Sequence, residues 1–127
     1  MLLYKFYALK RAKTFLKLVA DKRVTPKRAW NLAMVYASKY MRLKNPWGKP
    51  YYLLIEPTNL CNLKCPMCPT GNGTMPRPRG FMTFETFKKI IDEMGDYLIT
   101  VTLMNYGEPF LNQDVYKMIS YANKRNI

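Results

Sequence analysis

Tyr51-Tyr52-Leu53-Leu54-Ile55-Glu56-Pro57-Thr58-Asn59-Leu60-Cys61-Asn62-Leu63-Lys64-Cys65-Pro66-Met67-Cys68-Pro69 is the stretch on which the fold turns. It opens with an aromatic and branched run bounded by prolines, which reads as a buried strand from Tyr51 to Ile55. From Glu56 to Gly80 the composition changes to Pro, Gly, Asn and Thr, so the strand runs into a long loop. Long loops without elements of their own are functional or disordered, and this one carries all 3 cysteines of the chain. Their spacing is C-x3-C-x2-C, which in a tight loop brings the thiolates around one centre. Soft sulfur donors select zinc, copper(I) or an iron–sulfur cluster. A closed zinc site needs a fourth protein ligand, and the chain has no fourth Cys and no His. On a four-iron cluster, three ligands leave one iron open to a substrate or cosubstrate. A zinc knuckle completed by a carboxylate or a partner, and three plain thiols, stand as the bland alternatives.

Outward from the loop, Thr83 caps a helix whose apolar positions are Phe84, Phe87, Ile90, Ile91 and Met94, with Gly95 placed to stop it. A second strand, Leu98 to Met104, comes next, then a turn over Asn105 to Leu111. A last helix follows from about Asn112 to Arg125, using Val115, Met118, Ile119 and Ala122. Strands alternating with helices specify an α/β fold with a parallel sheet. Two parallel strands cannot cover their own faces, so these read as the opening units of a larger, partial (β/α) barrel.

Before Tyr51 lie two amphipathic helices. The first carries Leu9, Ala12, Leu16 and Val19 among lysines and arginines, and Asp21 to Val24 breaks it. Thr25-Pro26 restarts the helix, and its apolar stripe is Trp30, Ala33, Met34, Ala37 and Met41. Asn45 to Pro50 forms an irregular linker, so the chain divides into a basic helical extension, 1–50, and the α/β part, 51–127.

The charge follows that division. Residues 1–50 carry 13 Lys/Arg against one acid, Asp21, for +12, whereas 51–127 carry 8 against 7, for +1, which sums to the +13 of the chain. The extension therefore suits an acidic partner, an anionic membrane surface before a nucleic acid; the alternative is that its charges form a solvated face and that the apolar stripe of the second helix is packing surface. No nucleic-acid motif is present. The clustered, odd-numbered cysteines do not form a disulfide framework and point to a reducing compartment. No apolar run is long enough to span a membrane, so a cytoplasmic location is expected, peripheral to the membrane through the extension.

The segment Glu56 to Pro69 after a first strand resembles the signature of the radical S-adenosylmethionine (radical SAM) enzymes, in particular their SPASM-type, peptide-modifying and related branches. A second segment, Tyr106-Gly107-Glu108-Pro109 after the second strand, is similar to the family's Gly-Gly-Glu-Pro. The resemblance covers about Tyr51 to Ile127. It implies that Cys61, Cys65 and Cys68 hold a [4Fe-4S] cluster whose open iron binds the amino and carboxylate groups of S-adenosylmethionine. Gly107, Glu108 and Pro109, with Met67, are the implied cosubstrate-binding residues; a glycine permits close backbone approach, and a carboxylate suits an ammonium group. Reductive cleavage gives methionine and a deoxyadenosyl radical that abstracts hydrogen from substrate, with no catalytic residue implied beyond the cluster. A reductant protein of flavodoxin or ferredoxin type is the implied partner, and a peptide or membrane-associated molecule the expected substrate. Two positions depart from the pattern: Tyr106 replaces a glycine, and Met67 stands where an aromatic is common. The 127 residues alone are expected to be inactive. Two other function classes remain beside this one, a structural zinc module and an iron–sulfur electron carrier indifferent to S-adenosylmethionine.

Overall fold

The computed structural model describes Lys17, Val19, Ala20 and residues 23–127. Of the expected first helix, Leu9, Ala12 and Leu16 lie outside the described residues, while Val19 is helical and 45% exposed. Helix α1 spans Pro26–Tyr40, strand β1 Tyr52–Ile55, helix α2 Phe84–Met94, strand β2 Thr100–Leu103, a 3-10 turn Pro109–Leu111 and helix α3 Val115–Lys124. The start signals act as the residue types require. The Thr25 hydroxyl accepts from Arg28 N at 3.2 Å and the Thr83 hydroxyl from Thr86 N at 3.2 Å, each satisfying a free amide of a first turn. Gly95 ends α2 without a left-handed turn, at φ −57°. Its lack of a side chain matters for space, because a Cβ there would stand 2.5 Å from the Ile91 carbonyl oxygen.

The strands pair in parallel, from Tyr52 opposite Thr100 to Ile55 opposite Leu103. Alternation puts Leu53, Ile55, Val101 and Leu103 on one face, where they meet Phe87 and Ile91 of α2 and Met118 and Ala122 of α3. Phe87, Ile91, Leu98 and Met118 are fully buried. The other face, with Tyr52 and Leu54, is exposed, so the strand expected to be buried throughout is covered on one side. Among the described residues the sheet has these two strands. Helix α3 begins at Val115, later than Asn112, because the buried Asn112 side chain is bonded elsewhere. It donates to Pro57 O at 2.8 Å and Met82 O at 2.9 Å and accepts from Asp114 N at 2.9 Å.

Helix α1 reverses its expected orientation. Of the stripe, Trp30 (68%), Ala33 and Met41 (56%) are exposed and Met34 and Ala37 half-buried, while Arg28, Asn31 and Ser38 are buried. Arg28 explains the reversal. Its guanidinium donates to the carbonyls of Arg23 (2.7 Å), Asn126 (2.6 Å), Gly95 (2.8 Å) and Arg125 (2.9 Å). The last three are at the C-terminal ends of α2 and α3, where unsatisfied carbonyls concentrate partial negative charge. Burial pulls the Arg28 pKa below its ordinary value, and nearby Asp96 acts in the opposite direction. Asn31 is paired with both backbone groups of Lys49, at 2.9 and 2.7 Å, and Tyr36 stacks on Tyr51 at 6.3 Å. Helix α1 is thereby fixed beneath the N-terminal ends of the strands. The cysteine loop and residues 104–111 leave from the C-terminal ends, at the opposite side.

Candidate functional site

Polar side chains close the cysteine loop at its base. Thr58 Oγ1 donates to Gly80 O at 2.8 Å and accepts from Leu60 N at 3.0 Å. Asn59, also buried, donates through Nδ2 to Pro78 O at 2.8 Å and accepts from Gly80 N at 2.8 Å. Short Asx and hydroxyl side chains suit this work because they bond backbone groups that no strand or helix satisfies. Met82 N completes the closure on Pro57 O at 2.8 Å. Within the loop, Cys68 N donates to Cys65 O at 3.1 Å and Asn72 N to Cys68 O at 2.9 Å, so successive turns carry the last two cysteines. Gly71 packs against the backbone of Cys65: a Cβ there would meet Cys65 N at 2.6 Å and Cys65 O at 2.7 Å.

All three thiols are free; Cys65 is exposed, and Cys61 and Cys68 are half-buried. Leu63 N points at Cys61 Sγ at 3.4 Å. Met67 is 95% exposed. Among the described residues, no three Cys, Asp, Glu or His side chains are gathered as a site for a metal ion.

The second segment is built onto the first. Glu108 N donates to Leu60 O at 2.8 Å, joining the end of β2 to the residue before Cys61. Gly107 lies flat against Thr58 and Asn59, and a Cβ at 107 would overlap the Thr58 carbonyl oxygen and stand 2.6 Å from its carbon. Glu108 uses its carboxylate locally, accepting from Phe110 N at 3.2 Å and capping the 3-10 turn that Pro109 opens. Glu56 adds a further tie. Its carboxylate pairs with Arg77, Nη1 to Oε2 at 2.9 Å, and accepts from Tyr106 N at 3.1 Å. Glu56, Asn59, Gly71 and Asn112 were not identified as site residues from the sequence. Glu56, Asn59 and Gly71 sit in a loop rich in turn formers and Asn112 at an expected helix start, positions that do not signal which distant group each would reach.

The family model described as Radical SAM superfamily matches residues 55–127. Among curated proteins, the chain is 34% identical over 82 residues to an AdoMet-dependent heme synthase of Nitratidesulfovibrio vulgaris, covering 63% of this chain and 22% of the relative. It is 26% identical over 77 residues to a PqqA peptide cyclase of Bradyrhizobium diazoefficiens, covering 61% and 20%. A second AdoMet-dependent heme synthase, from Oleidesulfovibrio alaskensis, is 32% identical over 77 residues, covering 59% and 20%. The chain thus matches about a fifth of the length of these curated relatives. No solved structure matches it.

Proposed function

The chain belongs to the radical SAM superfamily, and from that premise we propose that Cys61, Cys65 and Cys68 hold a [4Fe-4S] cluster beside a binding site for S-adenosylmethionine. The donor set fits this group. Three free thiols stand on one loop, and in a cluster each takes a different iron, so the sulfurs have no need to converge on one ion. The Leu63 amide at Cys61 Sγ is a hydrogen bond of the kind that tunes cluster potential. When bound, such a cluster with one open iron supplies the electron that cleaves the sulfonium of S-adenosylmethionine reductively and so generates a deoxyadenosyl radical.

The residues of this chain bind and orient. Gly107 lets the backbone after β2 lie against the cysteine loop, and the Glu108 amide fixes the two segments at 2.8 Å. That junction is the observation that carries the reading, because it joins the thiol loop to a carboxylate-bearing segment suited to the methionine ammonium group. Pro109 stiffens the turn that holds Glu108. Met67, exposed beside Cys68, is assigned to the rim of the cosubstrate site. The exposed side of the loop at Cys65 and Met67 leaves an approach for a flavodoxin- or ferredoxin-type reductant.

The strands and helices described here open a (β/α) barrel, whose active site belongs at the C-terminal ends of its strands. The substrate is an organic molecule that loses a hydrogen atom. The relatives are named for a haem synthase and a peptide cyclase, so a peptide or a tetrapyrrole are the classes to screen first. The test is reductive cleavage. Anaerobically reconstituted full chain, given dithionite and S-adenosylmethionine, is expected to release methionine and 5′-deoxyadenosine. A protein that assembles a cluster yet releases neither would show that the chain does not perform this chemistry.

A further inference from the structure

Helix α1 buries its polar side and exposes its apolar one, the reverse of a helix that serves the core of its own domain. Trp30, Tyr40 and Met41 are 68%, 92% and 56% exposed, and Trp47, just beyond the helix, is 60% exposed. Helical spacing puts Trp30, Ala33, Ala37 and Met41 in one row along the outer side, with Tyr40 flanking it. The segment's own charge has one sign, although Lys27 at the start of the helix is paired with Asp96 at 2.6 Å. From Lys22 to Ile55 the sequence holds 8 Lys/Arg and no acid, and among the described residues Lys39, Arg42 and Lys44 make no ion pair. Tyrosine and tryptophan favour the boundary between headgroups and hydrocarbon, and lysine and arginine favour anionic headgroups above it. Among the described residues no helix is long and apolar enough to cross a membrane. The apolar row is matched to shallow immersion.

We propose that the outward side of α1, with Trp30, Tyr40, Met41 and Trp47 flanked by Lys39, Arg42 and Lys44, docks on anionic lipid bilayer surfaces. An acidic protein or a nucleic acid would satisfy the cations but leave the row of Trp30, Ala33, Ala37 and Met41 without an apolar medium. The fold also sets the direction of docking. Arg28 ties α1 to the ends of α2 and α3 beneath the N-terminal ends of the strands, and Cys61 to Cys68 lie beyond their C-terminal ends. A docked molecule therefore holds its cysteine loop away from the lipid, at least a strand length of about 13 Å further out. This surface is independent of the reading of the cysteines.

The experiment is sedimentation of the full chain with phosphatidylglycerol-containing vesicles and with neutral phosphatidylcholine vesicles, without cluster reconstitution. At about 0.1 M salt the bound fraction is expected to favour anionic vesicles by at least about tenfold, and about 1 M salt should release most of it as the screening length falls from about 10 to about 3 Å. Tryptophan emission should shift to the blue on vesicle addition, and Trp30→Phe should remove much of that shift. Two surface variants, Trp30→Ser with Tyr40→Ser and Lys39→Glu with Arg42→Glu, should each lower anionic binding at least about fivefold; as exposed positions they leave the fold intact, which circular dichroism verifies. Equal binding to neutral and anionic vesicles, or undiminished binding by both variants, overturns the proposal. Trp30 already protected from a soluble quencher in vesicle-free protein overturns it as well, since another segment or a second copy then covers the row.

Discussion

Replacing Gly107 by alanine tests how the two segments are joined. An added Cβ would stand 2.6 Å from the Thr58 carbonyl carbon and 2.9 Å from Asn59 Cα, with the Thr58 oxygen closer still. Ordinary carbon–carbon contact begins at about 3.5 Å. Relief therefore requires the backbone after β2 to retreat by about 1 Å, because the opposing atoms are main chain and cannot rotate away. The Glu108 N to Leu60 O bond, now 2.8 Å, would stretch to nearly 4 Å and be lost, since bonds beyond about 3.5 Å do not count as such. A lost bond at about 1 kcal/mol and overpacking at about 1–3 kcal/mol give a destabilisation of about 2–4 kcal/mol. Denaturant unfolding of the full chain reads that loss. Binding of S-adenosylmethionine should weaken by at least about tenfold, because misplacement of about 1 Å has large effects on positioned groups, while iron and sulfide content persists. A Gly107→Ala protein with parental stability and parental cosubstrate affinity would refute the argument that close approach at 107 builds the site.

Other expectations follow from the same geometry. Replacing Cys61, Cys65 or Cys68 singly by alanine should abolish a stable four-iron cluster in reconstituted full chain, as measured by iron and sulfide content, because on the proposed reading each thiolate would serve a different iron. Glu108→Gln keeps an acceptor for Phe110 N and should retain the fold but lower S-adenosylmethionine affinity, whereas Glu108→Ala should lose both the cap and the affinity; equal affinity in all three proteins removes Glu108 from the site. Arg28→Met should destabilise the chain by about 3 kcal/mol in denaturant unfolding: four charged bonds to carbonyls are lost, partly offset by release of a buried guanidinium whose Nε has no partner. Arg28→Lys should recover less than half of that, since one ammonium cannot reach four divergent carbonyls. The Asp92 carboxyl is held below its ordinary value of 3.8 by Lys88 first, then Tyr121, with Arg125 contributing. Its contribution to stability is therefore present above the unfolded value and lost as pH falls below it, so Asp92→Asn should flatten the acid limb of a stability–pH curve below about pH 5.

Local chemistry made much of the fold legible. Thr25 and Thr83 cap the helices they were expected to cap, and Tyr51 to Ile55 and Leu98 to Met104 contain the observed strands. The ladder is shorter than the second apolar run because Leu98 and Ile99 are buried ahead of it, with Ile99 N bonded to Tyr51 O at 2.8 Å. Ile119, counted as core from its spacing, is 46% exposed beside β2, because periodicity gives the face of a helix and not what covers it. The orientation of α1 was hidden for a different reason. Its apolar row was visible, but the force that turns it outward comes from carbonyls at Gly95, Arg125 and Asn126, far along the chain from Arg28. At the candidate site, the cysteine spacing and the Gly107-Glu108-Pro109 segment could be picked out from the sequence, but not that the structure sets them side by side. Their junction depends on Glu56, Asn59 and Asn112 reaching specific distant backbone groups, which residue type alone does not encode.

The measurement that tests the central claim most directly is electron paramagnetic resonance of the reduced, anaerobically reconstituted full chain, with and without S-adenosylmethionine, beside its iron and sulfide content. The account predicts about four irons and four sulfides per three-cysteine site and a reduced-cluster signal whose shape changes when S-adenosylmethionine occupies the open iron. A centre containing zinc in place of iron and sulfide, or a cluster signal indifferent to S-adenosylmethionine, would contradict it.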